Sequence, residues 1–244
     1  MALNNPYALY FDGVNDYVRV SYDAKLSPTQ LSIMAIITKT KNAQQYIASK
    51  AQVGGYFFWI HESGYLGFSV YIGGSYRTLY SQTSLANETY SVCGTYDGSH
   101  MRLYIDGELE AEQAQTGNIA YSANNALMIG CDPGSGSNPD SSAPYYYQGA
   151  IDNVSFWNRG LTPEEVYTYH DRRLHGDENG LVAYYKFDET SGTIAYDSGP
   201  NGLNGDIVGA TRIDGLADLV IGQGIARLAS ATAYGHATAS AKPI

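Results

Sequence analysis

Charged residues are scarce in this sequence, and basic ones are scarcest. Only 16% of the 244 residues are charged, against about 25% in typical soluble domains. The surface must therefore be built largely from Ser, Thr, Asn, Gln, Gly and Tyr. The 14 Lys and Arg are outnumbered by 24 Asp and Glu, which gives a net charge of −10. This balance argues against a nucleic-acid partner, because a phosphate backbone requires clustered basic side chains.

The sequence also shows no long apolar run, no signal-peptide pattern and no disulfide framework. No apolar run approaches the roughly 20 residues that span a bilayer. Residues 1–6 show no basic region followed by an apolar core, so no signal peptide is predicted and the location is left open, with an extracellular surface or a virion favoured. The two cysteines, Cys93 and Cys131, each lie in a strand-like run. They are either buried free thiols or a cross-strand disulfide.

Tyrosines and turn signals are abundant. The chain has 23 Tyr and 27 Gly, and Asp-Gly or Gly-Gly pairs separate short runs of β-branched and aromatic residues. This pattern is typical of an all-β sandwich. Residues 90–96 and 101–105 flank an Asp-Gly-Ser turn and read as a hairpin, in whose second arm Met101, Leu103 and Ile105 share one face.

One helix is predicted over about 162–174. Thr162 is its N-cap, Pro163 occupies the first helical position, and Glu165 completes a capping box. Val166 and Leu174 belong to an apolar stripe at helical spacing, and because this stripe is narrow we expect the helix to lie on the surface of the sandwich.

Two further segments differ from the rest in composition. Residues 132–148 are rich in Gly, Ser, Pro and Asn, and irregular stretches of this length are usually functional or disordered. From residue 216 the composition shifts: residues 219–225 are still strand-like, whereas Ala, Ser and Thr dominate residues 226–244, which have too few large apolar residues for independent folding. We therefore divide the chain into a sandwich over 1–215 and a C-terminal segment over 216–244, which we expect to dock on something.

Four segments together resemble the laminin-G-like (concanavalin A-like) jelly-roll family. They are LYFDGVNDYV (9–18), GTYDGSHMRLYIDG (94–107), GAIDNVSFWNRGLTPEEV (149–166) and GLVAYYKFDE (180–189). The resemblance implies two packed antiparallel sheets and often a calcium ion. It does not imply one function, because such domains serve as glycan binders, adhesion modules, enzyme appendages and virion surface parts. In many members the last of these segments precedes the first, so residues 181–213 either close their own sandwich or supply a strand to a neighbour.

The resemblance also places the first and a late strand at one edge, which suggests a Ca²⁺ site. Asp12, Gly13 (through its carbonyl), Asp16 and Asp152 would supply the oxygen ligands that calcium prefers. In the alternative interpretation Asp12 and Gly13 form a plain turn, and Asp152, which lies in an apolar strand, is paired with Arg159 or with backbone amides because an unpaired buried carboxylate is costly.

Candidate ligand contacts are the consecutive Tyr145, Tyr146 and Tyr147, whose rings suit stacking on sugars or on a partner surface. Simple packing of this loop on the sheet is the alternative. Trp59 is a weaker candidate, since the nearly continuous apolar run around it favours a core position.

Constellations that carry catalysis are missing from the sequence. No alternating acidic strand of the glucanase type, no metal-ligand spacing of His and no Gly-x-Ser-x-Gly elbow is present. We therefore expect a non-enzymatic binding or adhesion module that recognises glycan or protein surfaces. The alternative is a structural assembly component, such as a virion decoration or fibre protein, whose segment 216–244 docks on a neighbouring subunit or on a copy of itself.

Overall fold

The computed structural model describes residues 6–52, 54–121, 124–134, 138–142 and 144–216. The strands of the first half are β1 (Tyr7–Asp12), β2 (Tyr17–Val20), β3 (Leu31–Lys39), β4 (Gln45–Ala51), β5 (Gly55–Ile60), β6 (Tyr65–Ile72), β7 (Ser75–Ser84) and β8 (Thr89–Tyr96). Those of the second half are β9 (His100–Ile105), β10 (Glu108–Ala114), β11 (Leu127–Ile129), β12 (Gln148–Trp157), β13 (Leu181–Tyr185), β14 (Ile194–Ala195), β15 (Gly205–Val208) and β16 (Thr211–Asp214). A 3₁₀ helix, Ala24–Leu26, follows β2, and helix α1, Pro163–Tyr169, follows β12.

These strands form two antiparallel sheets that pack face to face, which confirms the predicted sandwich. The first sheet has the order β10-β9-β8-β3-β12-β1-β16, with β13 also paired to β12, and the second has the order β14-β15-β2-β11-β4-β5-β6-β7. Both sheets contribute to one main core, in which Ile37 and Ile151 of the first sheet accompany Phe58 and Phe68 of the second. The sheets' outer faces are the places where polar and aromatic side chains can meet a ligand.

The predicted hairpin is confirmed as β8 and β9, with Met101 and Leu103 in the core. The predicted helix is confirmed at its start, where Thr162 and Glu165 form the capping box. It is shorter than predicted, because α1 ends at Tyr169 and the chain turns away. In that turn Leu174 packs into a second buried cluster on the outer face of the first sheet.

The pairing of strand β12 shows where the C-terminal segments lie in the sandwich. Its first half pairs with β1, for example Ile151 with Leu9, while its second half pairs with β13, for example Val154 with Tyr185. Strand β16 then extends the first sheet beyond β1, and β15 pairs with β2 in the second sheet. Residues 181–214 therefore close their own sandwich rather than a neighbour's.

The cysteines are both buried and both free. Cys93 lies on the outer side of the first sheet beside Trp157, and Cys131 lies beside Met128 of the second sheet. Burial raises the pKa of both thiols, which keeps them protonated and unreactive. The C-terminal segment is described only up to Leu216, and residues 217–244, on which the docking prediction depends, lie outside the described residues.

Candidate functional site

The outer face of the second sheet carries a row of aromatic rings. Trp59 of β5 is paired in register with Tyr46 of β4 on one side and with Gly67 of β6 on the other, and Gly67 is paired with Tyr80 of β7. Directly opposed residues project from the same face of a sheet, so the side chains of Tyr46, Trp59 and Tyr80 share the outer face. We call these three residues, together with Tyr145, the aromatic belt.

Contacts within the aromatic belt are close. The ring of Tyr46 stacks on Tyr145 at 5.4 Å between centroids and on Trp59 at 5.9 Å, while Trp59 meets Tyr80 edge-on at 5.7 Å. Tyr46 and Trp59 are 6% and 7% exposed, whereas Tyr80 is 42% exposed. The inner rings therefore support the belt, and a ligand can reach ring faces only at its ends.

At the Tyr80 end the belt opens into a cleft of about 410 Å³ lined by His61, Ser63, Tyr65, Tyr80 and Ser81. Tyr65 is 38% exposed, so two half-exposed tyrosines border the same cleft. Nδ1 of His61 accepts a hydrogen bond of 3.1 Å from the backbone N–H of Ser63. In the neutral ring the proton is then on Nε2, which adds a donor to the cleft.

A second, polar depression of about 380 Å³ adjoins this cleft and shares Ser63 with it. Its walls come from the loops that follow β3, β5 and β7, and its lining residues are Lys39, Asn42, Glu62, Ser63, Gly64, Ser84, Leu85, Ala86 and Asn87. We call the two depressions together the groove, with an aromatic half and a polar half.

The polar half is organised around the ammonium group of Lys39. Its Nζ donates to Oδ1 of Asn42 at 2.6 Å, to the carbonyl of Leu85 at 2.9 Å and to Oδ1 of Asn87 at 3.1 Å. Lys39 is only 1% exposed, and this burial lowers its pKa. The three acceptors satisfy the ammonium, because a lysine has three N–H donors.

The structure separates the three consecutive tyrosines from one another. Tyr147 lies in the core and meets Phe11 edge-on, and Tyr146 is partly buried against the cluster around Met128. Tyr145 is the most exposed of the three, with 36% exposure and one ring face covered by Tyr46. The run therefore does not form a common stacking face, although ligand contact by Tyr145 itself stays a prediction.

Of the residues proposed for calcium, Asp12, Gly13 and Asp16 do meet at the turn between β1 and β2. Asp16 Oδ2 accepts a hydrogen bond of 2.8 Å from the backbone N–H of Asp12, and Asp12 Oδ1 accepts one of 2.7 Å from Val14. Asp16 is buried against Gly209, and this desolvation is the main cause that raises its pKa. The turn thus uses these carboxylates internally.

Asp152, the fourth proposed ligand, lies elsewhere. Asp12 is paired with Gln148, four positions before Asp152 on β12, so about 13 Å of strand separates Asp152 from the position opposite Asp12. Asp152 is fully buried, and its Oδ2 accepts a hydrogen bond of 2.9 Å from the backbone N–H of Leu216. Of the two partners suggested for Asp152 in the alternative interpretation, a backbone amide is the one observed. Arg159 pairs with Glu165 instead. Asp152 therefore does not share a site with Asp12.

Calcium binding itself stays a prediction. Within the described part of the chain, no group of three or more His, Cys, Asp or Glu is arranged to hold a metal. A β-carbon added to Gly13 would lie 3.1 Å from Nζ of Lys41, so this ammonium lies directly beside the turn. The positive charge of Lys41 would repel a calcium ion bound through Asp12.

The segment before β12 is attached to the sheet by Asp132. Its Oδ1 accepts a hydrogen bond of 2.9 Å from Oγ of Ser49 on β4. Its backbone N–H donates to Pro144, and its carbonyl accepts from Asp140. Burial raises the pKa of Asp132 to about 7, and the nearby charge of Asp140 adds to the shift against the opposing hydrogen bond from Ser49. The buried position of Asp132 beneath this segment therefore favours the protonated form of its carboxyl group.

The groove was missed by the sequence interpretation. Trp59 is buried as predicted, but it lies on the outer face rather than between the sheets. The two-residue period of β7, which places Tyr76 and Tyr80 on one face, could have drawn attention to that face. No local pattern shows that Tyr65 and Lys39, from separate strands, border one groove.

Comparison with known proteins agrees with this fold. The family profile of the concanavalin A-like lectin/glucanases superfamily, of the laminin G type, matches residues 12–167. The chain belongs to this superfamily, as the resemblance implied. No curated protein sequence matches the chain.

Solved structures with the same fold come from different organisms. A proposed carbohydrate-binding protein from Bacteroides ovatus superposes with a TM-score of 0.70 at 19% identity, over 87% of this chain and 60% of that one. A heptameric SAP-like pentraxin from Limulus polyphemus gives a TM-score of 0.56 at 16% identity, over 76% and 93%. The CBM40 domain of the Ruminococcus gnavus IT-sialidase gives 0.51 at 17% identity, over 65% and 96%. This chain thus spans 60% of the length of the Bacteroides protein, and at these identities the likeness shows the fold.

Among the residues that the structure describes, none of the helices has the length and apolar character needed to cross a bilayer.

Proposed function

We propose that this domain is a non-catalytic carbohydrate-binding module whose ligand lies in the groove. The observation that carries the proposal is the pair of half-exposed tyrosines, Tyr65 and Tyr80, which border one cleft together with His61 and Ser63. Small-ligand sites typically combine aromatic walls with a few convergent polar groups, and a sugar ring presents both an apolar face and hydroxyl groups.

In this proposal, one set of residues contacts the apolar face of the sugar and another binds its hydroxyl groups. A pyranose ring packs its C–H face on the exposed side of Tyr80, whose opposite side is held by Trp59 and His61. Sugar hydroxyls accept from Nε2 of His61 and exchange hydrogen bonds with Oγ of Ser63. Because Tyr80 is held by neighbouring rings before the ligand arrives, little side-chain entropy is lost on binding.

The proposed absence of catalysis rests on the shortage of carboxylates at the groove. Glycoside hydrolysis ordinarily uses two carboxyl groups placed on either side of the scissile bond. Among the described residues that line the groove, Glu62 alone carries one. The fold adds support without deciding the point, since its relatives include a proposed carbohydrate-binding protein and a CBM40 domain.

A glycan array tests the proposal. The wild-type chain is compared with Tyr65→Ala and Tyr80→Ala, and Tyr167→Ala serves as the matched control because Tyr167 is 52% exposed on α1, away from the groove. We expect the glycans bound by the wild type to lose at least about tenfold in affinity in both groove variants, as truncation of a central aromatic contact usually costs more than 1 kcal/mol. Wild-type protein that binds no glycan would contradict the proposal.

The assembly alternative depends on residues 217–244, which the structure does not describe, so it stays a prediction. The segment that leads to them begins on the chain's own sandwich, where Leu216 packs against Ala8, Ile36 and Ala150. Light scattering on full-length protein and on a 1–216 version tests self-assembly through this segment, which requires the full-length protein to self-associate and the shorter version to stay monomeric.

A further inference from the structure

The ammonium group of Lys39 at the groove has only neutral hydrogen-bond acceptors among the described residues. Its ammonium donates to two amide oxygens and one carbonyl. Throughout the described residues, no Asp or Glu forms an ion pair with it. The polar half of the groove therefore contains a buried cation that has no counter-ion among the described residues. Burying an ion in this way is costly.

Lys39 also fixes the direction of the two amide groups. Because Nζ takes Oδ1 of Asn42 and Oδ1 of Asn87, the Nδ2 groups of both side chains must point away from the ammonium. Both asparagines are exposed and line the polar half. Two amide NH₂ donors, polarised by the same cation, are thus available to a ligand in the groove.

Such a set of donors favours a strong acceptor. Hydrogen bonds from amides to a carboxylate or sulfate oxygen are stronger than those to a neutral hydroxyl, and the charge of the buried Lys39 adds electrostatic attraction. The negative charges of the protein, which would repel an anion, have a smaller effect. The Debye length is about 8 Å at physiological ionic strength, so most of the net charge of −10 is screened, and Glu62 is the one carboxylate among the described lining residues.

We propose that the polar half of the groove receives the anionic group of an acidic sugar, a carboxylate or a sulfate, through the amide groups of Asn42 and Asn87 held by Lys39. This inference rests on the proposed function and narrows its ligand class. The aromatic half holds the sugar ring, and the anionic group lies beyond Ser63, where the two halves meet.

The test uses the full chain and three monosaccharides that differ mainly at one carbon: glucuronate, glucuronamide and glucose. A parallel arm compares glucose 6-sulfate with glucose, which separates carboxylate from sulfate recognition. The side-chain amide signals of Asn42 and Asn87 are followed by ¹H–¹⁵N NMR during each titration. We expect these signals to move with at least one of the two anions at about fivefold lower concentration than with its neutral counterparts, the scale of one partly exposed charge interaction.

Variants separate the charge from the fold. Asn42→Ala and Asn87→Ala change exposed residues and are expected to keep the fold and lose the preference. Lys39→Met is expected to lose it as well, whereas Lys41→Gln removes the same charge from the neighbouring loop position and is expected to retain it. Equal response to the anionic and neutral sugars, or no response at the two amides, overturns this inference. Binding of neutral glycans on the array in that case leaves the proposed function intact, whereas an array without binders contradicts the function itself.

Discussion

The indole ring of Trp59 lies across the backbone of Gly67. A β-carbon added to Gly67 would approach Cε2 of Trp59 to 2.7 Å and Cδ1 to 2.9 Å, closer than carbon atoms can pack. Because Gly67 of β6 has no side chain, Trp59 can reach across it to Tyr80 on β7 and hold one side of that ring.

Gly67→Ala should consequently displace Trp59 and release Tyr80. Forcing extra volume into a packed site usually costs about 1–3 kcal/mol, so we expect the free energy of unfolding to fall by about that amount. Glycan affinity should fall as well, because Tyr80 loses its support. Denaturant unfolding, tryptophan fluorescence and a binding titration measure the three effects.

The matched control for Gly67→Ala is Ser69→Ala, which changes the next outward-facing residue of β6 and removes one hydrogen bond to Thr78. That variant should keep the fluorescence spectrum and the glycan affinity. A Gly67→Ala protein that matched the wild type in fluorescence and in affinity would show that the aromatic belt does not support the groove.

Asp132 is expected to make stability depend on pH. Its pKa is raised in the folded state to about 7, from an ordinary value of 3.8. The folded protein therefore binds this proton more tightly than the unfolded chain, and the contribution of Asp132 to stability is fully present below pH 3.8 and is lost as the pH rises towards 7. We expect a loss on the order of 2 kcal/mol over that interval, reduced from the full shift because the side chain is partly exposed.

The difference between wild type and Asp132→Asn isolates this contribution. Urea unfolding between pH 4 and pH 7 should show a smaller decline for Asp132→Asn, whose neutral amide cannot ionise, while Asp177→Asn, at an exposed position, should follow the wild type. Parallel curves for wild type and Asp132→Asn would mean that Asp132 titrates near its ordinary pKa.

Calcium provides a separate prediction for the turn between β1 and β2. If an ion binds there, its ligands are Asp12, the carbonyl of Gly13 and Asp16, without Asp152. Calorimetric titration of chelator-treated protein should then give heat and a higher melting temperature. Both should be lost in Asp16→Asn and retained in Asp177→Asn. Neither heat nor stabilisation in the wild type would mean that the turn does not bind calcium.

The sandwich could be predicted from the sequence because its signals are local. The alternation of Met101, Leu103 and Ile105 and the capping box of Thr162 and Glu165 each depend on residues a few positions apart. Those elements are present in the structure at nearly the predicted positions.

The groove could not be predicted in the same way, because its parts come from distant strands. Tyr145 and Tyr147 are two residues apart, yet one is half-exposed and the other lies in the core. Both residues precede β12, and the left-handed backbone of Tyr145 (φ 45°) interrupts the alternation of side chains there. The position of Asp152 depends in turn on Leu216, which lies 64 residues later in the chain, and no local pattern encodes such a contact.

We propose that sugars bind in the groove at the end of the aromatic belt, and NMR mapping of a bound glycan locates the binding site. The best ligand from the array is titrated into ¹⁵N-labelled full-length protein, and the shifted backbone amides are placed on the fold. We expect the shifts to concentrate in residues 61–65, 80–81, 39–42 and 84–87. Shifts concentrated instead at the turn between β1 and β2, or around α1 on the opposite sheet, would contradict it.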